Sequence, residues 1–470
     1  MTDEMKVTGA DLILMISFDL GDIFEIENLK KILPKEQGYD EKKGEEMMRK
    51  VVDPSYLEQK KSALLKLADL KVKIVDDELR ELNDRELACE LYLLLHNIGI
   101  AVVTVWIHLD NVSLSIDQII KVIKMMTEKF RDAKCFIKKS TNILSQDTNL
   151  YHYITNSIVV PLQAAIIFKN EYGGLDKALD EWKERKIAGR DLRKKLRYKG
   201  IRVYSMVFIR KYNCSCKTLK EVVKKHSKEL VGILTGSDEW KQYRESTAEN
   251  MLKIDLSLTK DIAFFMIPDH FLGIFSPSLN DYCKPYEEGD YISREEDFIV
   301  PIELAVLMEM MISAYYFYLT EKMEMYSERN APPSEIVLLR KEIEEGLDEY
   351  YNIVTIEEPA ITIIKHAREI LRISEGVQAI KERLSVLDSY IRTRYEEETD
   401  KKQLILTILF GFVGVLQVIG VVWELTKSFE QAFSWGIVFS MAIFIIYKYY
   451  SSIYKYCNKI SSYISRLFRK

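Results

Sequence analysis

The chain has 470 residues, a formal net charge of -5, 30% charged and 47% hydrophobic residues, and is long enough for about two to three folding units. A mildly acidic balance of this kind supplies no global basic surface, so direct DNA binding is not expected. The six cysteines (Cys89, Cys135, Cys214, Cys216, Cys283, Cys457) are scattered, which suits free thiols in a reducing compartment rather than a disulfide framework.

The N-terminal apolar run Leu12 to Phe18 carries no cleavage site and does not read as a secretory signal. Residues 1–355 form a mixed α/β (α+β) cytoplasmic domain in this reading. Runs rich in β-branched and aromatic residues predict strands at Leu12–Leu20, Ile98–Leu109, Ile201–Tyr212 and Asp261–Ile267. Amphipathic spacing predicts helices at Tyr56–Leu70, Asp77–Leu95, Ile116–Phe130, Lys217–Leu234, Pro301–Met323 and Ser334–Tyr351. The clearest breaks are Ser276–Gly289, a sub-boundary near 276–290, and Ala331-Pro332-Pro333.

Between Lys183 and Lys211 the chain is strongly basic. Arg190, Arg193, Lys194, Lys195, Arg197 and Arg202 are candidates to hold a phosphate-bearing or nucleotide ligand, because guanidinium forks match phosphate oxygens. A solvated helix face or a contact with acidic lipid explains such a run equally well, and Tyr204 and Tyr212 read either as base-stacking or as core residues. Cys214-Ser215-Cys216 is the only close cysteine pair and lacks histidines at zinc-finger spacing, so it reads as structural or incidental. The turns Pro268-Asp269-His270 and Arg294-Glu295-Glu296-Asp297 suit a divalent cation or a plain surface loop. The six histidines stand singly, and no P-loop, nucleophile elbow or dinucleotide fingerprint is present, so no catalytic residue is assigned and enzymatic activity is not expected.

From Pro359 the apolar positions Ile363, Ala367, Ile370, Ile373, Val377, Ile380, Leu384, Leu387 and Ile391 recur every three or four residues. They predict a stalk helix over 356–402 that runs unbroken into the membrane, on the order of 90–100 Å from Pro359 to Trp423. Such a stripe needs either copies of itself or the soluble domain to cover it, and self-association is the preferred reading. Residues 403–424 predict a first transmembrane helix, 425–431 a short outer loop, 432–450 a second transmembrane helix and 451–470 a basic tail. Lysines and arginines flank the hairpin on one side, which places both termini in the cytoplasm of a multi-pass inner or plasma membrane protein.

Along the first span Gln403, Thr407, Gly411, Gly414, Gln417 and Glu424 recur near one face and predict either a pore lining or close helix packing over glycines. Glu396, Glu397, Glu398 and Asp400 just before it form a cytoplasmic acidic ring in an oligomer, or a solvated face in a monomer.

This layout resembles the CorA superfamily of divalent-cation channels. The resemblance is carried by Val377 to Val421, with Lys381-Glu382-Arg383-Leu384, Leu387-Asp388-Ser389-Tyr390 and Lys401-Lys402-Gln403-Leu404-Ile405-Leu406-Thr407-Ile408-Leu409. It implies a funnel-like homopentamer whose first spans line the pore. The family's Gly-Met-Asn signature is absent, the chain reading Gly420-Val421-Val422-Trp423-Glu424-Leu425 instead, so magnesium selectivity does not carry over. Divergent relatives act as CRISPR-type antiviral membrane effectors activated by a nucleotide second messenger, and the layout is compatible with that group. Three functions follow as expectations: a channel gated by the cytoplasmic domain, such an effector, or a membrane-anchored sensor or scaffold without a pore.

Overall fold

The computed structural model describes residues 5–30, 40–52, 57–59, 61–83, 85–138, 148–184, 186–257, 259–279, 295–329, 332–351, 358–426, 430, 433–438, 441 and 444. The chain divides into two compact units, residues 1–330 with 338–385, and residues 331–337 with 386–470.

The first unit is built on one nine-stranded sheet. Its strands are β1 Lys6–Asp19, β2 Ser62–Ile74, β3 Leu87–His96, β4 Ile100–Ser115, β5 Cys135–Lys138, β6 Thr148–Asn149, β7 Ile201–Asn213, β8 Ile262–Ile267 and β9 His270–Phe275, in spatial order β6-β5-β2-β3-β4-β1-β7-β9-β8. All pairs are antiparallel except β7 with β9. Both neighbours of β1 pair along almost its whole length, with Asp11 opposite His108 of β4 and Phe208 of β7. A strand buried on both faces has no polar side to alternate with, which is why β1 reads as a nearly continuous apolar run.

The main helices are α1 Ile116–Thr127, α2 Val160–Tyr172, α3 Gly189–Lys195, α4 Leu219–Lys225, α5 Ser227–Thr235, α6 Glu296–Arg329, α7 Pro333–Tyr351, α8 Glu358–Ile370 and α9 Ile373–Thr426. Ser115 and Gln118 close a capping box at the start of α1, which fixes that boundary to the residue. Leu12, Leu14 and Ile16 share a core with Ile119, Ile120 and Ile123 of α1. Alternate residues of β1 point to the other face, where α6 packs on β1 and β4.

Two predicted helices are strands. The segments expected as helices at Tyr56–Leu70 and Asp77–Leu95 instead supply β2, the four-residue helix Arg80–Asn83, and β3. Leucine favours helix intrinsically, and the apolar spacing of Leu64, Leu67 and Leu70 fits a helical period. The β2–β3 ladder, with its shift between Lys66 and Ala68, and the burial of β3 between two strands override that local preference.

The expected unbroken stalk is also interrupted. Arg372 lies at φ +53° between α8 and α9, and an apolar step from Ile370 to Ile373 keeps the period intact across the break. Of the stripe, Ile363, Ala367, Ile373, Val377, Ile380 and Leu384 are buried within the first unit, and Ile370 is half-buried. A Cβ on Gly376 would lie 2.5 Å from Ile312 of α6, so the glycine permits close approach. Arg383 sits over the Tyr316 ring at 4.3 Å and donates to its hydroxyl at 2.8 Å. Elements of the first unit cover this part of the stripe.

Among the described residues three helices are long and apolar enough to cross a membrane, and burial separates them. The apolar stretch in Glu296–Tyr326 is 94% buried and that in Leu150–Tyr172 is 56% buried, whereas the stretch within Ile373–Glu424, with the highest mean hydropathy at 2.6, is 6% buried. Of the expected second span, positions 433–438, 441 and 444 are helical. Its remainder and the basic tail 451–470 lie outside the described residues.

The buried α6 carries Glu303, whose carboxylate accepts from the Thr104 hydroxyl on β4 while its Oε2 has no partner among the described residues. Burial pushes its pKa up to about 8. The folded state therefore holds this proton more tightly than the unfolded state, and the resulting stability is complete below about pH 4.5 and lost as pH rises through about 8. Glu303→Gln is expected to remove that loss, gaining about 4 kcal/mol over wild type at pH 9 relative to pH 5, as measured by denaturant midpoints across pH.

Candidate functional site

In the second unit the polar positions of α9 fall on a definite side. At about 100° per residue, Gln403, Thr407, Gly411, Gly414, Gln417 and Glu424 span an arc of about 140°. Leu404, Gly411, Gly414, Val415, Val418, Ile419 and Val422 are the more buried positions, on an arc of about 140° centred about 90° from Gln403 around the helix. Val415 lines an apolar groove of about 450 Å³ with Phe412, Ile419, Phe433, Gly436 and Phe444. A Cβ on Gly436 would stand 2.6 Å from Ile419, whereas one on Gly414 would meet nothing within 4 Å. Close packing over glycine thus occurs at Gly436. Gly411 belongs to the packed side, while Gln403, Thr407, Gln417 and Glu424 are exposed.

Thr407 donates to the Gln403 carbonyl at 2.8 Å, which satisfies its hydroxyl within the helix, as threonine can do in an apolar solvent. Gln403, Gln417 and Glu424 are therefore the side chains whose polar groups most require water or a partner.

The four carboxylates before the span separate by face. Glu396 and Asp400 fall on the same arc as Gln403 and Thr407. Glu397 points elsewhere and pairs with Arg394 at 3.0 Å, and Glu398 lies on the opposite side.

The basic candidates of the first unit do not gather into one pocket. Arg197 is 4% exposed and belongs to the core. Its Nη2 and Nε reach Asp19 Oδ1 at 2.7 and 3.0 Å, and Nη2 also donates to the carbonyls of Ile98 and Gly99 at 2.8 and 3.0 Å. Its backbone N–H reaches Asp19 Oδ2 at 2.7 Å. Burial opposes the charge, but the Asp19 carboxylate outweighs it and holds the guanidinium pKa above its ordinary value. Gly99, at φ +87°, leaves room for this arginine, because a Cβ there would lie 2.6 Å from Nη2 and 2.3 Å from the Asp22 carbonyl oxygen.

Arg202 pairs with Glu309 of α6 beside the Tyr204 hydroxyl, which donates to the same carboxylate at 2.5 Å. Lys195 pairs with Glu171 and lies 4.5 Å over the Phe168 ring. Lys194 stands 3.7 Å from Asp191, and Arg190 and Arg193 are exposed on α3. Tyr204 and Tyr212 are both buried, so neither presents a ring to an outside base.

A charged network in the sheet centre joins residues that no sequence expectation brought together. His108 Nδ1 lies 2.7 Å from Asp11 Oδ1, and Arg210 reaches Asp11 Oδ2 at 2.8 Å and Asp110 at 2.7 Å. Burial opposes protonation of His108, and the hydrogen bond to Asp11 reverses this and raises its pKa. Burial and the nearby Asp11 push Glu295 up to about 7. The bonded groups stand on three neighbouring strands, so the network ties β4, β1 and β7 together.

Among the described residues neither expected cation turn gathers ligands. Pro268-Asp269 is a two-residue hairpin turn between β8 and β9, and His270 faces the Ser205 hydroxyl at 2.7 Å. Glu296 pairs with Lys50 at 2.9 Å, and Arg294 lies outside the described residues.

No family model, no curated protein and no solved structure matches the chain.

Proposed function

We propose that the chain is a membrane protein in which α9 continues from the soluble domain into the bilayer and, with copies of itself, lines an ion-conducting pore gated by that domain. The observation that carries the reading is the 6% burial of the apolar stretch of α9, combined with polar side chains on a side that its described return segment leaves uncovered. A 20-residue stretch from Leu404 to Trp423 without a charge is long enough for a hydrocarbon core of about 30 Å. Glutamines facing lipid would be costly, whereas facing a shared water-filled axis they are solvated.

Glu396 and Asp400, on the same arc, would then line the cytoplasmic mouth and raise the local concentration of cations. The layout supports a CorA-like build with both termini in the cytoplasm. The missing Gly-Met-Asn signature argues against an ordinary magnesium channel.

The full chain reconstituted in liposomes is expected to pass cations, and Gln417→Leu to change the flux by tenfold or more through loss of a polar lining. Silence across cations and candidate cytoplasmic ligands would overturn the pore reading. If an unrelated apolar span in place of residues 403–423 preserves the cellular function, the hairpin is an anchor and the soluble domain acts alone.

A further inference from the structure

Cys214 and Cys216, which read along the chain as an incidental pair, meet a histidine in three dimensions. His226 follows Cys216 after nine intervening residues, at the joint where α4 ends and α5 begins. The two sulfurs and a ring nitrogen of His226 lie within 4.8 Å of one another. Tetrahedral zinc holds such atoms roughly 3.5 Å apart, given Zn–S of about 2.3 Å and Zn–N of about 2.0 Å, so small side-chain rotations close the set.

The histidine is prepared for a metal in a second, independent way. It is 2% exposed, and its Nδ1 is held by the Glu229 carboxylate, whose other oxygen accepts from the Met5 N–H at 3.2 Å. Nε2 has no hydrogen-bond partner among the described residues. A buried ring nitrogen left unpaired costs about 1–3 kcal/mol, and metal coordination removes that cost. A carboxylate that fixes the far nitrogen of a ligating histidine is the usual outer support of a zinc ligand, setting its tautomer and orientation. In the loop the Cys216 N–H points at Cys214 Sγ across 3.4 Å, which holds the two cysteines in one tight turn.

We propose that Cys214, Cys216 and His226 form a zinc(II) site, with Nε2 of His226 as the nitrogen ligand and Glu229 as its positioning residue. Two thiolates and one imidazole are a borderline-soft donor set that selects zinc over magnesium or calcium. On binding, each thiol releases its proton to solvent, and the two negative sulfurs balance the ion's charge. Cys216, His226, Glu229, Glu221 and Lys225 border a cavity of about 1160 Å³, which leaves the fourth position to water. The metal ties the end of β7 to the α4–α5 joint.

The test uses the full chain in detergent, reduced, stripped with a chelator and titrated with zinc, then with cobalt as a spectroscopic probe. One zinc per chain, with thiolate-to-cobalt charge-transfer absorption, is the expected result. Cys216→Ser and His226→Gln are expected to weaken zinc at least 100-fold, and Glu229→Gln by 10- to 100-fold, with circular dichroism confirming that each variant folds. The wild-type measurement stands without the variants. A chain that binds no zinc while its thiols are reduced, variants that bind it as tightly as wild type, or a Cys214–Cys216 disulfide as the form isolated from cells would each overturn the assignment.

Discussion

A chain ended after Asp400 is expected to leave the membrane fraction almost completely, while the full chain stays in it through carbonate extraction and is released only by detergent. The removed stretch from Leu404 to Trp423 holds fourteen Leu, Ile, Phe and Val residues and no charge. At about 0.3–0.6 kcal/mol each near the bilayer centre these contribute roughly 4–8 kcal/mol of gross insertion free energy, before the costs of Thr407, Gln417 and three glycines. The other two apolar helices are not expected to substitute. The stretch in α6 is 94% buried against β1 and β4, and exposing it to lipid would uncover the sheet. A shortened chain that remains in the carbonate-washed membrane would show that one of those buried helices, or a lipid-binding surface of the soluble domain, does the anchoring. That result would also remove the main support for a pore along α9, since a helix not needed for insertion has no reason to present its glutamines to a membrane channel.

What the sequence made legible follows the strength of local signals. The long runs of β1, β4 and β7 were readable because strands buried on both faces carry little polar residue to confuse the period. The helices α1, α6 and α7 were readable because their apolar stripes are long. β2 and β3 were not, because Leu64, Leu67 and Leu70, and the run Leu91–Leu95, satisfy helical and strand patterns alike, and only pairing with distant strands decides between them. The short β9 was missed although its turn, Pro268-Asp269, is a hairpin signal, with Asp269 at φ +68°.

The break at Arg372 leaves no mark at all, since the residue is neither glycine nor proline. Of the candidate site, the polar face of α9 was readable from spacing, but its division into a packed side and an exposed side needed the neighbouring segment. The convergence of His226 on Cys214 and Cys216 depends on how α4 folds back after β7, and no local rule in the chain encodes it. Likewise a basic run does not distinguish its outward cations from its buried one.

That distinction supports the largest stability effect expected within the first unit. Arg197→Met is expected to destabilise the fold by about 3–5 kcal/mol, because it leaves the Asp19 carboxylate buried without a countercharge. The Asp19 side chain is 0% exposed and that of Arg197 3%, so water cannot replace the lost partner, and the carbonyls of Ile98 and Gly99 lose a donor as well. Against a typical total of about 5–15 kcal/mol, such a loss moves the denaturation midpoint far enough to read without ambiguity. Arg190→Ala and Arg193→Ala, on the exposed surface of α3, are expected to stay within about 0.5 kcal/mol of wild type. The double variant Asp19→Asn with Arg197→Met should recover part of the loss, because no unpaired charge remains, although the amide cannot accept all the bonds that Asp19 takes from Gly21, Arg197 and Tyr198. An Arg197→Met chain with unchanged stability and an altered response to a phosphate-bearing ligand would return this arginine to the list of ligand contacts. A destabilised chain instead assigns it to the joint between the end of β1 and the turn before β4, and leaves Arg190 and Arg193 among the cations of the run that stay exposed to solvent.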